Sequence, residues 1–405
     1  MEDKQKKQWV RFRHRIVRNI AYAILYPYVR LRYGIHIERF KEQEKRPYLI
    51  LLNHQTPFDQ FFVGMAFKGP VYYLSTEDIF SLGWVSSLIR WLVAPIPIKK
   101  QTTDIHAVKN CLRVAREGGT LCIAPEGNRT YSGRTEYMNP SIATLAKKLN
   151  VPVVLYRIEG GYGSEPRWSD GIRKGKMKAY VGRVIYPEEY AEMSKEDLFS
   201  AIQAGLYVDE AVADGHFSSD KRSEYLERAM YVCPFCGLSV FESHGNSITC
   251  KTCQRTVTYE KDKRLTGNGF DFPFTFVADW YDYQKDFINA LDIDKYLDKP
   301  LYRDAAALWE VIVYKNKNVL RESAEIALYG DRIVMDEGRN DPLVFPFEEV
   351  SAVTVLGRNK LNIYHGEHVY QLKGDKRFNA LKYVHIYHRH KNISRGDKNG
   401  KFLGL

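Results

Sequence analysis

The chain has 405 residues, which is long for a single hydrophobic core and predicts two or three domains. Hydrophobic residues make up 44% of the sequence, so a wholly disordered protein is excluded. The formal net charge of +11 indicates a polyanionic partner: nucleic acid, an anionic membrane surface or a phosphorylated substrate.

The first segment, residues 1–46, concentrates this positive charge, with thirteen Lys and Arg against five Asp and Glu. Its longest uncharged stretch, residues 19–29, is shorter than the roughly 18–20 residues that span a bilayer, and no signal-peptide cleavage site follows it. Basic residues alternate there with bulky apolar ones such as Trp9, Phe12 and Ile16. We predict basic amphipathic helices that associate peripherally or monotopically with the cytoplasmic face of a membrane. The alternative is a helix packed on the core with a solvated basic face.

The next segment alternates short apolar runs with stretches of helical spacing, which predicts an α/β domain over residues 47–215. We expect a mostly parallel sheet flanked by helices, with site residues where strands end. Strands are predicted at 48–53, 71–75, 94–98, 120–125, 151–158 and 177–185.

The sequence from residue 194 onwards predicts several smaller structural units. Charged helical patterns occupy 194–211 and 218–230, and a cysteine-rich ribbon is predicted at 228–262. A helical linker over 263–322 contains a helix near 274–291. Alternating residues followed by an amphipathic helix predict a β-rich PH-like or GRAM-like domain over 323–392, with a disordered tail at 393–405.

One candidate site follows the first predicted strand of the α/β domain. That strand ends at Asn53 and His54, and Asp59 follows five residues after the histidine. His-x4-Asp is frequent by chance, but at a strand-to-helix junction Asp59 can accept from one ring N–H and leave the other nitrogen as a base. The alternative is a histidine satisfied in the core and an aspartate that favours a helix start.

Two further strand ends carry groups suited to phosphate. Gly127 permits a tight turn and Arg129 offers a forked donor, while Glu126 can orient a substrate hydroxyl or a neighbouring basic group. Lys99 and Lys100 end another strand as compact positive charges. The sequence therefore predicts a base and a phosphate site at one edge of the sheet.

Four stretches, taken together, resemble a known family. NHQTPFD at 53–59, IPIKK at 96–100, APEGNRT at 124–130 and VPVV at 151–154 are similar, in order and spacing, to the four sequence blocks of the glycerolipid acyltransferases. These are the 1-acylglycerol-3-phosphate acyltransferases and their relatives. The resemblance covers about residues 45–190 and departs from the common pattern at Thr56, Ala124 and Asn128.

The resemblance implies a reaction in phospholipid biosynthesis without an organic cofactor. His54 would deprotonate a hydroxyl of lysophosphatidic acid or a related lysolipid, which attacks the thioester of coenzyme A or acyl-carrier protein. Asp59 would orient His54. Glycerol 3-phosphate or a non-phosphate lipid alcohol remain alternative acceptors. The substrate-binding residues are then expected to be Glu126, Gly127, Arg129, Lys99 and Lys100.

Six cysteines are present, of which Cys111 and Cys122 are predicted to be buried thiols. Two C-x2-C pairs, separated by thirteen residues, match the spacing of a tetrahedral structural zinc site. Disulfides are the alternative, disfavoured at a reducing cytosolic surface. The predicted ligands are Cys233, Cys236, Cys250 and Cys253.

A rival function uses this ribbon differently: an adaptor that binds nucleic acid or protein and carries an inactive enzyme fold. The basic charge lies beside apolar residues at the N-terminus rather than around the cysteine pairs, so we expect membrane lipids and no nucleic acid as partners.

Overall fold

The protein is described by a computed structural model that covers residues 8–41, 46–98, 104–312 and 315–397. The first part contains a helix, α1 (Phe12–Tyr33), and then alternating strands and helices. They are β1 (Ile35–Ile37), β2 (Leu49–Leu52), α2 (Asp59–Ala66), β3 (Val71–Thr76), α3 (Trp84–Val93), β4 (Ile96–Ile98), α4 (Ile105–Arg116), β5 (Thr120–Ile123), α5 (Ser141–Leu149), β6 (Val153–Glu159), α6 (Gly161–Ser164), β7 (Met177–Ile185), α7 (Pro187–Ala191) and α8 (Lys195–Leu206).

The seven strands form one sheet in the order β1-β7-β6-β2-β5-β3-β4. All neighbours are parallel except β6 and β7, which pair antiparallel. The predicted α/β fold with a mostly parallel sheet is therefore confirmed. β1 lies ahead of the predicted boundary at residue 47, because its three residues are too few to give a recognisable strand pattern.

β2 lies in the middle of the sheet, between β5 and β6, and all four of its residues are buried. Leu49 and Leu51 belong to one hydrophobic cluster, and Ile50 and Leu52 belong to another on the opposite face. A central strand covered on both faces is expected to show such a continuous apolar run. The end of β2 is therefore a fixed point from which the following polar residues project.

Small strands form the predicted ribbon: β8 (Val232–Cys233), β9 (Gly237–Leu238), β10 (Phe241–His244), β11 (Ser247–Cys250), β12 (Thr256–Tyr259) and β13 (Leu265–Gly267). The helix expected at 218–230 is wrong, since only one 3-10 turn, Leu226–Arg228, forms there. Tyr225 adopts a left-handed φ of 72°, and the charged side chains of Arg222 and Arg228 are buried. Side-chain hydrogen bonds to distant parts of the chain, invisible in the sequence, replace the helix.

The last part contains α9 (Val277–Ala290), a 3-10 turn (Ile293–Tyr296) and a seven-stranded antiparallel sheet closed by α10 (Leu381–Ser394). Its strands are β14 (Tyr302–Glu310), β15 (Asn318–Leu328), β16 (Arg332–Met335), β17 (Leu343–Pro346), β18 (Val350–Leu356), β19 (Lys360–His365) and β20 (His368–Gly374), in the order β17-β16-β15-β14-β20-β19-β18.

This sheet confirms the expected β-rich C-terminal domain but moves two of its limits. β14 pairs with β15 and β20, so the domain begins at residue 302 and not at 323. The sequence of β14 contains three consecutive alanines, which interrupt the alternation of apolar and polar residues that would have indicated a strand. α10 also continues into the segment predicted to be a disordered tail, of which residues 398–405 lie outside the described part.

The ribbon, α9 and the C-terminal sheet share one hydrophobic core. Val232 and Phe241 of the ribbon belong to the same cluster as Ile363 of β19, and Tyr131 and Trp168 of the α/β domain join it. The three parts are therefore packed together rather than strung on flexible linkers. In the part of the chain that the structure describes, no helix is both long and apolar enough to cross a membrane.

Candidate active site

The structure brings His54 and Asp59 together. Nδ1 of His54 lies 2.9 Å from Oδ2 of Asp59, which is 1% exposed at the first turn of α2. The same carboxylate accepts hydrogen bonds from the backbone N–H groups of Gln55 and Thr56, at 2.6 and 2.9 Å, and from the Thr56 hydroxyl at 2.7 Å. These bonds fix Asp59, which in turn fixes the imidazole. Nε2 is then the nitrogen left to meet a substrate.

Asn53 explains why a buried strand ends on a polar side chain. Its amide donates to the carbonyl of Ile158 and accepts from the Ile158 N–H, both at 2.8 Å. The side chain thus continues the pairing of β2 with β6 by one position. Sequence reasoning placed Asn53 at the strand end but missed this role and that of Thr56, because both depend on partners that only the folded loop supplies.

Glu126 is joined by a hydrogen bond to the backbone of His54. Its two carboxylate oxygens accept the backbone N–H groups of His54 and Glu136, each at 3.1 Å. Burial raises the pKa of Glu126 to about 8. Each oxygen therefore binds a backbone N–H group, and one of these bonds joins Glu126 to His54. The expected contact of Glu126 with substrate stays a prediction.

Gly127 and Arg129 face a cavity. Gly127 has a left-handed φ of +70°, and a Cβ atom there would meet nothing within 4 Å. Arg129 is buried, and its Nη1 has no hydrogen-bond partner within the described residues. Burial and then the nearby Arg167 lower the pKa of Arg129 to about 10. Lys99 and Lys100 lie outside the described residues.

The cavity has a volume of about 740 Å³, within the usual range for small-molecule sites. His54, Asp59, Gly127 and Arg129 line one part of it, which is its polar end. The rest runs between α1, α2, β3 and α3 and is largely apolar. Representative lining residues are Val17, Ala21, Leu25, Met65, Val71, Leu74, Ile79, Ile89, Leu92 and Val93.

Residues distant in sequence also line the polar end of this cavity. They are Arg167, from the loop after α6, and Leu356 and Gly357, at the end of β18 in the C-terminal domain. None was predicted. Arg167 stands outside the four recognisable stretches, and a contact across about 190 residues leaves no local signal.

The four predicted zinc ligands also come together. The Sγ atoms of Cys233, Cys236, Cys250 and Cys253 all lie within 4.8 Å of one another. Cys233 and Cys253 are 3.8 Å apart, and Cys236 and Cys250 are 3.6 Å apart. A tetrahedral ion with Zn–S bonds of about 2.3 Å requires sulfur separations near these values.

A comparison with protein families finds a match for the α/β part of the chain. The family model described as Acyltransferase matches residues 34–158, which include His54, Asp59, Glu126, Gly127 and Arg129. Over residues 34–158 the chain is therefore similar to the acyltransferase family. The match contains the strand ends on which the site is built, whereas the ribbon and the C-terminal domain lie beyond it.

Individual relatives carry the same family name. A chloroplastic 1-acyl-sn-glycerol-3-phosphate acyltransferase of Brassica napus is 25% identical over 185 residues, which are 44% of this chain and 51% of the relative. The 1-acyl-sn-glycerol-3-phosphate acyltransferase of Bacillus subtilis is 21% identical over 136 residues, 34% of this chain and 65% of the relative. The chain thus spans about half to two thirds of the length of the curated relatives it matches.

One solved structure is also similar. The 1-acyl-sn-glycerophosphate acyltransferase PlsC from Thermotoga maritima is 19% identical and covers 48% of this chain and 75% of its own, with a TM-score of 0.37.

Proposed function

We propose that this protein transfers a fatty acyl chain from an acyl thioester to a hydroxyl of lysophosphatidic acid or a related lysolipid. The observation that carries the proposal is the His54–Asp59 pair at the polar end of an apolar cavity, with Arg129 on the same wall. The relatives named as 1-acyl-sn-glycerol-3-phosphate acyltransferases support the choice of acceptor.

In the proposed reaction, Nε2 of His54 takes the proton of the acceptor hydroxyl, and the oxygen of that hydroxyl attacks the carbonyl carbon of the thioester. The new C–O bond forms, the C–S bond breaks, and the leaving thiolate receives the proton from the imidazolium. Asp59 stabilises that imidazolium through Nδ1. General-base catalysis of this kind contributes on the order of 10²–10⁴ in rate. The acceptor alcohol is the nucleophile, so no acyl-enzyme is required.

The two ends of the cavity suit the two ends of such substrates. The apolar part between α1 and α3 can bury an acyl chain, and a guanidinium at the polar end suits a phosphate. Coenzyme A and acyl-carrier protein are both donors compatible with this arrangement.

We further propose that α1 and α3 lie in the membrane interface at its cytoplasmic face. α1 buries only His14, Val29 and Tyr33, which disfavours a helix packed mainly in the core. The exposed apolar residues of α1 and α3 include Phe12, Ile16, Ile20, Ile24, Leu31, Trp84, Leu88 and Trp91. Arg13 lies over the ring of Trp91, so basic and aromatic groups occur together, as membrane interfaces favour.

A structural zinc ion completes the proposal. The four cysteine sulfurs have the separations of a tetrahedral Zn site. The ion would stabilise the ribbon against α9 and the C-terminal sheet and would take no part in acyl transfer.

The test is acyl transfer by the purified full-length protein to lysophosphatidic acid, glycerol 3-phosphate and monoacylglycerol in anionic vesicles. We expect transfer to lysophosphatidic acid from an acyl thioester and none by His54→Ala of equal thermal stability. Absence of transfer by the wild type to every acceptor would favour the adaptor function. Equal transfer by His54→Ala would refute the proposed base.

A further inference from the structure

Arg129 and Arg167 form a pair of buried cations beside the polar end of the cavity. Arg167 is 2% exposed and donates from Nη1 to the carbonyl oxygen of Arg129, over 2.9 Å. Within the described residues neither guanidinium is ion-paired with a carboxylate, and Nη1 of Arg129 has no hydrogen-bond partner at all. Buried charges are normally paired, so this arrangement indicates an anionic ligand.

The C-terminal domain reaches this pair through the turn that follows β18. Arg167 donates from Nε to the carbonyl of Gly357 and from Nη2 to the carbonyl of Val355, at 2.8 and 2.9 Å. Leu356 and Gly357 line the same cavity as His54. Gly357 has a φ of +61°, and a Cβ there would meet nothing within 4 Å, as at Gly127. The turn therefore presents bare backbone to open space in the cavity.

Arg358 holds the turn in place. Its Nη2 donates to Glu165 over 2.6 Å, and the other oxygen of Glu165 accepts from the hydroxyl of Tyr33 over 2.5 Å. The hydroxyl of Tyr131 donates to the carbonyl of Arg358 over 2.8 Å. The turn is thus bound to α1 and to the α/β domain by side chains that make no catalytic contact.

We propose that the C-terminal domain supplies one wall of the acceptor site. The turn at residues 355–358, positioned by Arg358, closes the space in which Arg129 and Arg167 bind the phosphate monoester of the acceptor. This inference rests on the proposed function, and it assigns a role to a domain outside the residues matched by the acyltransferase family model.

Two phosphate sources are chemically possible, the acceptor and a coenzyme A donor. In lysophosphatidic acid the phosphate ester is on the carbon next to the one bearing the reacting hydroxyl. In coenzyme A the phosphates are separated from the thioester by the whole pantetheine arm. Arg129, Arg167 and His54 line a single cavity, which favours the acceptor phosphate.

The test compares steady-state kinetics of the full-length wild type with Arg358→Gln, Arg358→Lys and Leu356→Trp. Arg303→Gln is the matched control, because Arg303 forms carboxylate pairs on the surface of the same domain. We expect Arg358→Gln to raise the KM for lysophosphatidic acid about tenfold with little change in kcat, and Arg358→Lys to restore part of the loss. Leu356→Trp, which fills the cavity, should also raise this KM.

The KM values for monoacylglycerol and for the acyl thioester should stay unchanged in Arg358→Gln. A KM for lysophosphatidic acid within twofold of the wild type in both Arg358→Gln and Leu356→Trp would overturn the inference. An equal rise for monoacylglycerol would show a purely structural role and overturn it as well. A rise confined to acyl-coenzyme A would assign the cations to the donor.

A binding measurement separates this inference from the proposed function. By calorimetry, glycerol 3-phosphate should bind to the wild type. Its affinity should be about tenfold lower for Arg358→Gln and unchanged for Arg303→Gln. If the wild type binds glycerol 3-phosphate but transfers no acyl group, the proposed function fails alone. If it transfers acyl groups while Arg358→Gln binds and reacts like the wild type, only the role of the C-terminal domain fails.

Discussion

The carboxylate of Glu126 and the backbone of His54 are joined by a hydrogen bond: Oε1 of Glu126 accepts the His54 N–H over 3.1 Å. Oε2 accepts a second backbone N–H, from Glu136. Glu126, expected from the sequence to orient a substrate hydroxyl or a neighbouring basic group, thus contacts the backbone of the proposed base. Its substitution should change the rate of the reaction rather than the affinity for substrate.

Glu126→Gln tests this relationship. A glutamine side chain has one acceptor oxygen and one donor group, so one of the two backbone N–H groups loses its partner. We expect kcat to fall by about tenfold to a hundredfold, with the KM for lysophosphatidic acid within about twofold of the wild type. A raised KM with unchanged kcat would instead show direct contact with the acceptor.

The buried Glu126 also predicts a pH dependence of stability. Its pKa is about 8 in the folded protein, because of burial, and about 4.5 in the unfolded chain. The folded state therefore binds this proton more tightly, and the stabilisation it gives is fully present below pH 4.5 and lost as the pH rises through 8. The melting temperature of the wild type should fall between pH 5 and pH 8.5, and the fall should be smaller in Glu126→Gln. Parallel pH profiles would contradict the prediction.

Asp59→Asn tests the orientation of the proposed base. The amide of asparagine offers one acceptor oxygen to a set of donors that now bind two, so the loop loses bonds and the ring of His54 loses its charged partner. We expect kcat to fall on the order of 10³-fold to 10⁴-fold. Asp262→Asn, at an exposed ribbon turn, is the control. An Asp59→Asn enzyme within tenfold of wild type would exclude the proposed pair.

Exposed tryptophans of α3 predict membrane binding. Trp84 and Trp91 are 76% and 54% exposed. The double variant Trp84→Ser, Trp91→Ser should bind anionic vesicles at least about tenfold more weakly in flotation, because interfacial aromatic rings contribute to partitioning. The control replaces Val240 and Val319, exposed apolar residues of the ribbon and the C-terminal sheet, by serine. Equal losses in both double variants would argue against a specific membrane surface.

The cysteine cluster predicts bound zinc. Untagged protein should contain about one zinc per chain, and Cys236→Ser should lose most of it together with thermal stability. Cys111→Ser, at a buried position in α4, should be destabilised but keep its zinc. Elemental analysis and melting temperature provide the two measurements. Wild-type protein without zinc would refute the site.

Much of the fold could be predicted because local pattern and tertiary position agree. Residues 49–52 form an unbroken apolar run, and β2 is indeed covered on both faces. The proximity of His54 and Asp59 was likewise predictable, since a strand end, a short turn and a helix start bring residues five apart together.

The rest of the fold and of the site could not be predicted, because it depends on side-chain orientations and on contacts between residues that are distant in sequence. The sequence places Glu126 near His54 but does not say whether its oxygens face substrate or backbone. Arg167 meets the carbonyls of Val355 and Gly357, which are 188 and 190 positions away. The charged stretch at 218–230 has the spacing of a solvated helix, yet Arg228 is buried against Asp170.

Tyr131 follows Arg129 by two residues, and Trp168 follows Arg167 by one. Both side chains lie in the hydrophobic cluster of the ribbon and C-terminal sheet. The α/β domain and the C-terminal sheet are thus not independently replaceable parts. A substitution that loosens the C-terminal sheet should therefore also disturb, through these two rings, the loops that carry Arg129 and Arg167. Inherited variation in the C-terminal half should therefore be as constrained as variation near His54.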